Sequence, residues 1–193
     1  MVEVPPVPPF NPENVPAELK AKRQWINWRY GVRDGKMTKV PIAPWATGDL
    51  SAIDVTDPNF CTDFQTAADA ARKHSVGLGF AFFKGAGIVG IDLDKLEQLG
   101  GEAKEIIRKA NSYAEYSPSG KGVHILGRGK LEKAIKKVGL EVYSHDRFFT
   151  VTGNRLEGTP PELNDIQPLL EELEGKYGDK PRTAAIAVAK QPV

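Results

Sequence analysis

Cysteine is nearly absent from this chain: Cys61 is the only one among 193 residues, beside three histidines and two methionines. One thiol excludes an intrachain disulfide and any multi-cysteine zinc site. His74, His124 and His145 show no zinc-type spacing, so no zinc is expected. No apolar run is long enough to span a bilayer and no signal-peptide pattern is present, so no membrane partner is expected and the cytoplasm is the default location. Charge of one sign is missing too. With 26 basic and 25 acidic residues the formal net charge is +1, and global charge does not announce a nucleic-acid binder. There is no internal repeat and no Gly-x-x-x-x-Gly-Lys-Ser/Thr phosphate loop. What remains, 40% hydrophobic and 26% charged, is ordinary globular composition in a chain long enough for one well-cored domain.

Proline is not scarce, and it marks the first boundary. Residues 1–12 carry Val4-Pro5-Pro6-Val7-Pro8-Pro9 and read as an extended extension. A catalytic-size domain is expected over 13–178. From Lys180 the pattern dissolves into an alanine-rich stretch, so 179–193 reads as a linker or tail. Within the domain, Glu13–Arg23 predicts a short helix, Gln24–Tyr30 a strand, and Lys39–Ile42 its hairpin return across Val32–Lys36. Asp63–Lys73 predicts a helix with Phe64, Ala67, Ala68 and Ala71 on one face. The centre is an α/β pattern: strands Val76–Phe83 and Gly87–Asp94, a helix over Glu102–Asn111, and strands at Glu115-Tyr116 and Val123–Leu126. A short helix is expected at Lys130–Lys137, a final hairpin from Leu140–Tyr143 and Arg147–Thr152, and a helix from Pro160 to Tyr177 interrupted at Pro168. Lys20, Lys22, Arg23, Arg29, Arg33, Lys36 and Lys39 face only Glu18 and Asp34 over the same stretch, which is either a local basic surface or a solvated charged face.

Three segments carry chemistry. Gly90-Ile91-Asp92-Leu93-Asp94 ends an apolar strand with two carboxylates one residue apart. Alternation sends Val89, Ile91 and Leu93 into a core and Ile88, Gly90, Asp92 and Asp94 the other way. Two like charges on one strand face repel unless a cation sits between them, and a hard ion such as Mg2+ suits oxygen donors. A bare Asp-x-Asp is also what a solvent-facing strand end looks like.

Second, in Ser117-Pro118-Ser119-Gly120-Lys121-Gly122-Val123-His124 the glycines permit backbone N–H groups to converge on an anion. Serine hydroxyls and the Lys121 charge would assist; a tight hairpin with a surface lysine is the bland alternative. Third, Glu141 in Leu140-Glu141-Val142-Tyr143 shares a face with Tyr143 and can supply a further carboxylate. Arg147 opens Arg147-Phe148-Phe149-Thr150-Val151-Thr152-Gly153, placed to meet a phosphate, a carboxylate or a surface ion partner. Asp146 reads as a turn residue.

In this order the three segments resemble the archaeo-eukaryotic primase superfamily, in particular the primase-polymerase domains at the N-termini of phage and plasmid replication proteins. The likeness extends to Trp25-x-x-Trp28-Arg29 and Lys39-x-Pro41 and covers roughly residues 14–175. It implies an α/β (α+β) fold: an RNA-recognition-like catalytic sheet packed with a smaller N-terminal α/β lobe, the active-site cleft between them. It implies a template-directed nucleotidyltransferase, a DNA primase and DNA polymerase, working with two Mg2+ or Mn2+ ions held by Asp92, Asp94 and Glu141. Ser117, Ser119, Gly120, Lys121, Gly122, His124 and Arg147 would bind the nucleoside triphosphate, with His124 also catalytic. Arg29, Lys36 and Lys39 would contact single-stranded DNA template, and Trp25 and Trp28 belong to the lobe core. Further helical and helicase domains are expected beyond the chain's end, and the location would be the host cytoplasm for a phage or plasmid protein. Two other functions fit parts of the pattern: a catalytically silent single-stranded-DNA-binding module of the same fold, and a metal-dependent glycosyltransferase, which would leave the serine-glycine-histidine loop without a role.

Overall fold

Nine strands fall into two antiparallel sheets in the computed structural model, which describes residues 4–45 and 51–178. The expected tail at 179–193 lies outside the described residues, as do the first three residues of the proline-rich extension. In chain order come α1 (Ala17–Lys20), β1 (Trp25–Arg33), β2 (Lys36–Ile42), α2 (Phe64–His74) and β3 (Gly77–Phe82). Then follow β4 (Ile88–Leu93), α3 (Leu96–Leu99), α4 (Gly101–Ala110), β5 (Ala114–Tyr116) and β6 (Val123–Arg128). The last elements are β7 (Ile135–Lys137), β8 (Leu140–Tyr143), β9 (Arg147–Val151) and α5 (Gln167–Tyr177).

Sheet one runs β2-β1-β3-β9 and sheet two β5-β6-β4-β8-β7. The β1–β2 hairpin turns on Asp34 and Gly35, both at positive φ (51° and 72°), the two-residue turn whose twist matches its strands. Asp63 caps α2 by accepting the Thr66 N–H at 2.9 Å, and Ala67, Ala68 and Ala71 turn inward beside Trp25 and Leu78. Trp25 and Trp28 are buried in the lobe, their indole N–H groups donating to the Leu19 and Leu78 carbonyls. The order β5-β6-β4-β8, with α4 between β4 and β5, is that of the expected RNA-recognition sheet. No helix separates β6 from β8; α5, from the far end of the chain, packs beside α4 and covers the outer face with Leu169, Leu170 and Leu173.

Several sequence expectations need correction. Lys130–Lys137 is not helical. Leu131 and Ile135 are both buried in the core of sheet two, but a spacing of four places residues on one face at either the helical or the strand period. Residues 135–137 instead pair with β8 across Gly139, which sits at φ 84°. β8 and β9 are not a hairpin, nor are β3 and β4 paired: in each case the second strand lies in the other sheet. β3 is buried along its whole length, and it takes β9 as its second neighbour. Pro168 does not interrupt a helix but starts one, since proline's fixed φ suits the first turn. Asp165 accepts the Gln167 N–H there at 2.9 Å. The segment before β1 is a short 3-10 turn at Pro12–Asn14 followed by the single turn α1.

Three cores result. One lies between sheet two and helices α4 and α5, around Val89, Ile91, Leu93, Ile106 and Leu170. A second joins the inner faces of the sheets through Leu78, Phe80, Phe82 and Phe149 from sheet one and Ile88, Leu126 and Tyr143 from sheet two. A third, smaller, covers the far side of sheet one. Gly90 is required where the sheets meet, because a Cβ there would sit 2.5 Å from Phe149 and 2.7 Å from Phe82.

Candidate active site

Strand register builds the site. Asp92 on β4 is directly opposite His124 on β6 and directly opposite Glu141 on β8. His124 in turn is opposite Glu115 on β5, and Glu141 opposite Lys136 on β7. Directly opposed residues share a face, so Glu115, His124, Asp92, Glu141 and Lys136 form one row across sheet two. Asp92, His124 and Glu141 line a cavity of about 640 Å³ with Tyr30, Lys39 and Pro41 of the hairpin and Arg147 and Phe149 of β9. That volume is within the range of small-molecule sites. The expected cleft between catalytic sheet and N-terminal lobe is therefore present, with β9 completing the lobe from the other end of the chain.

The alternation argument places Val89, Ile91 and Leu93 in the core, as expected. The opposite face is not solvent, however, but the second sheet. Asp92 consequently keeps only 23% of its side chain exposed, and its Oδ1 is buried with no hydrogen-bond partner. Burial, with repulsion from Asp94 and Glu141 and against the attraction of Lys39, pushes its carboxyl up to about 7. His124 is fully enclosed. Its Nδ1 lies 3.0 Å from the Thr150 carbonyl oxygen, which can only accept, so Nδ1 carries the proton. Burial, reinforced by the Lys39 charge, pushes the imidazole down to about 3 and leaves it neutral at pH 7. The Nε2 lone pair then faces Asp92 Oδ1 at 3.7 Å with no donor between them. Two acceptors so placed fit a cation or a proton.

Glu141 accepts from the Tyr143 hydroxyl at 2.7 Å, and Arg147 donates to that hydroxyl at 3.1 Å while lying 4.8 Å over the Tyr143 ring. Asp94 stands exposed just past the strand end. Its Oδ1 lies where a Cβ on Gly122 would come to 2.8 Å, with the Ser117 hydroxyl 3.2 Å from the same point. The Asp94 carboxylate and the serine-glycine loop therefore meet, and Gly122 is the residue that lets them. Among the described residues no group of three or more His, Cys, Asp or Glu side chains forms a ready metal cage. Asp92 and Glu141 are neighbours in register; Asp94 flanks them at the strand end.

The loop itself is closed on its own serines. Gly120 N–H donates to the Ser117 carbonyl at 2.8 Å, Lys121 N–H to Ser119 Oγ at 3.3 Å and Gly122 N–H to Ser117 Oγ at 3.2 Å. An incoming anion would have to take over bonds the hydroxyls now satisfy. Ser119, Gly120 and Lys121 are exposed, and none of the loop lines the cavity. The three basic residues expected along a template path are not brought together. Lys39 is opposite Tyr30 and lines the cavity, whereas Arg29, opposite Val40, and Lys36, at the hairpin tip opposite Arg33, do not line it. Burial lowers the Lys39 amine, opposed by Asp92 and Asp94. Asp146 is a turn residue at φ 56°, exposed and paired to His145 at 2.9 Å.

Sequence reasoning passed over Glu115. It is fully buried and accepts the Tyr113 hydroxyl at 2.7 Å and the N–H groups of Thr152 and Gly153 at 2.9 and 2.8 Å, while burial holds its carboxyl up near 7. It ties the end of β9 to β5 beside His124, 3.9 Å from Nδ1. A lone acid between Ala114 and Tyr116 on a strand was the available signal.

A row of acids and an imidazole thus crosses the central sheet, open to the cleft and flanked by the serine-glycine loop. In comparison with known proteins, the chain is 33% identical over 174 residues to a DNA Primase-polymerase of Nitratiruptor phage NrS-1. The match takes in 83% of this chain but 23% of that protein, so the chain spans about a quarter of the length of the curated relative. No family model matches. At this modest identity the comparison supports a primase-polymerase relationship. Among the described residues no helix is long and apolar enough to cross a membrane.

Proposed function

We propose that the chain is the catalytic domain of a primase-polymerase, a nucleotidyltransferase that extends or starts primers on a single-stranded DNA template. The observation that carries this is the His124–Asp92–Glu141 row at the floor of the cleft, with its buried, unpartnered carboxylate oxygen. In the reaction a primer 3′-hydroxyl attacks the α-phosphorus of a nucleoside triphosphate. A new phosphorus–oxygen bond forms, the α–β bridging bond breaks, the hydroxyl proton leaves to solvent and pyrophosphate departs.

The donor set fits a hard divalent cation: Asp92, Asp94 and Glu141 offer oxygens, and one of them has nothing else to bind. These three would hold Mg2+ or Mn2+, which when bound stabilises the attacking and leaving oxygens of such a displacement. The protein's own part is to position and neutralise. Tyr143 fixes the Glu141 carboxylate, and Arg147, held on Tyr143, presents its remaining donors to the cleft. Thr150 fixes His124 so that Nε2 faces the reacting region; a phosphate there would draw a proton onto it. Ser117, Ser119 and Lys121 would exchange their internal bonds for phosphate oxygens beside Asp94.

Primer extension on a single-stranded template with Mg2+ or Mn2+, for wild type and for Asp92→Ala, Asp94→Ala and Glu141→Ala, tests the assignment. Loss of extension with intact single-strand binding is expected for each. Wild-type protein that binds single strands but never extends would instead mark a silent DNA-binding module. Further helical and helicase domains in the full-length protein belong to the same proposal.

A further inference from the structure

We propose that Lys39 is the resident counter-ion of the Asp92–Asp94 pair and sets how tightly that pair takes a divalent cation, an inference that rests on the carboxylate assignment above. Three cationic side chains line the cleft: Arg33, Lys39 and Arg147. Arg147 is committed to Tyr143 by a hydrogen bond and by stacking. Arg33 is exposed at the hairpin tip. Lys39 lines the cleft from the wall opposite Asp92, His124 and Glu141; from there its charge favours the ionised Asp92 carboxylate and disfavours a protonated His124, and both aspartates favour its ammonium form. Among the described residues it closes no ion pair with either.

A partly buried ammonium that faces a carboxylate pair without bonding to it does two things. It relieves the repulsion between Asp92 and Asp94 when no other cation is present. It also repels any divalent ion entering between them. Because Lys39 sits on sheet one and the aspartates on sheet two, this opposition is built into the closure of the cleft rather than into either sheet. Once phosphates enter, the same ammonium has a second anion to turn to, so cation and nucleotide should help each other bind.

The measurement is a Mn2+ titration followed by the electron paramagnetic resonance of the free ion, without nucleotide or DNA. Removing one positive charge at short range in a half-buried site should tighten Mn2+ binding by about tenfold in Lys39→Met. Lys39→Gln should do the same, and Lys39→Arg should stay near wild type. Asp92→Asn should weaken binding with or without Lys39→Met. Unchanged or weaker binding in both neutral variants, with Asp92→Asn still harmful, overturns the counter-ion role and leaves the carboxylate assignment standing. Equal tightening in Lys39→Arg overturns it too, because bulk rather than charge would then be responsible. Binding indifferent to Asp92→Asn overturns the carboxylate assignment and the counter-ion role together. A gain of cooperativity between Mn2+ and nucleoside triphosphate that disappears in Lys39→Met supports it further.

Discussion

Replacing Asp92 by asparagine keeps the outline of the side chain and removes a charge that its buried, acid-lined surroundings hold at a cost. Burial and the neighbouring Asp94 raise the carboxyl from 3.8 to about 7, mostly through desolvation. A difference of about 3 pH units at 1.36 kcal/mol each sets a ceiling near 4 kcal/mol on the cost of the charged form. With 23% of the side chain still meeting water and an amide that needs partners of its own, about 2–3 kcal/mol is the realistic gain. At about 2–4 °C per kcal/mol for a chain of this size, the melting temperature should rise by roughly 4–12 °C. The sign follows from proton linkage. A carboxyl whose folded pKa is above its unfolded value costs nothing below about pH 4, costs progressively more through the window up to about 7, and costs its full amount above that. Thermal unfolding in a chelator should therefore show Asp92→Asn more stable than wild type at about pH 8 and nearly equal to it at about pH 4.5. The same variant should not extend primers. Equal melting at the higher pH, or an advantage that does not shrink with acid, would refute the buried-charge account.

Two further outcomes test the geometry. Gly122→Ala should push a Cβ against Asp94 and the Leu93 carbonyl, at 2.8 and 2.9 Å, costing about 1–3 kcal/mol in urea unfolding and most of the extension activity. Gly101→Ala, whose Cβ meets nothing, should leave both unchanged, and parity between the two variants would undo the claim of a close approach. Lys36→Ala should flatten the salt dependence of single-strand binding by about 0.7 in log–log slope if it contacts one phosphate. Lys39→Met should barely move that slope, since Lys39 faces the carboxylates; a drop of the same size for both would mean that the template runs through the cleft.

Much of this arrangement is visible in the sequence, for identifiable reasons. Alternation along Ile88–Leu93 sorts core from site because the strand is buried on one side by α4 and α5 and meets the carboxylate row on the other. The turn within Val32–Lys36 is local chemistry and is found where expected, on Asp34 and Gly35. Partnership between strands is not local. β8–β9 reads as an adjacent hairpin because its loop is short; the unbroken apolar run Val76–Phe83 fits a strand buried on both faces, but nothing local tells that its second neighbour is β9. Lys130–Lys137 failed because Leu131 and Ile135 satisfy two periods equally. In the site, Asp92, Glu141 and His124 were legible as residue types on strands. That Lys36 and Lys39 point apart follows from their odd spacing on one strand, but the side that Arg29 takes depends on hairpin register, and Glu115 needed knowledge of which backbone its carboxylate would meet.

The placement of β9 has a consequence for how the protein is made. Sheet one draws three strands from the first 82 residues and its fourth from residues 147–151, after all of sheet two has been synthesised. Until then the apolar strand Gly77–Phe82 has one free edge, a template for pairing with another chain. A nascent chain stopped at residue 145 would carry every member of the Glu115–Lys136 row. It would lack the Thr150 carbonyl that orients His124, the backbone N–H groups that hold Glu115, and the partner that seals β3. Of the nine strands described, the latest to leave the ribosome is thus the one that turns a set of correctly ordered residues into an assembled centre.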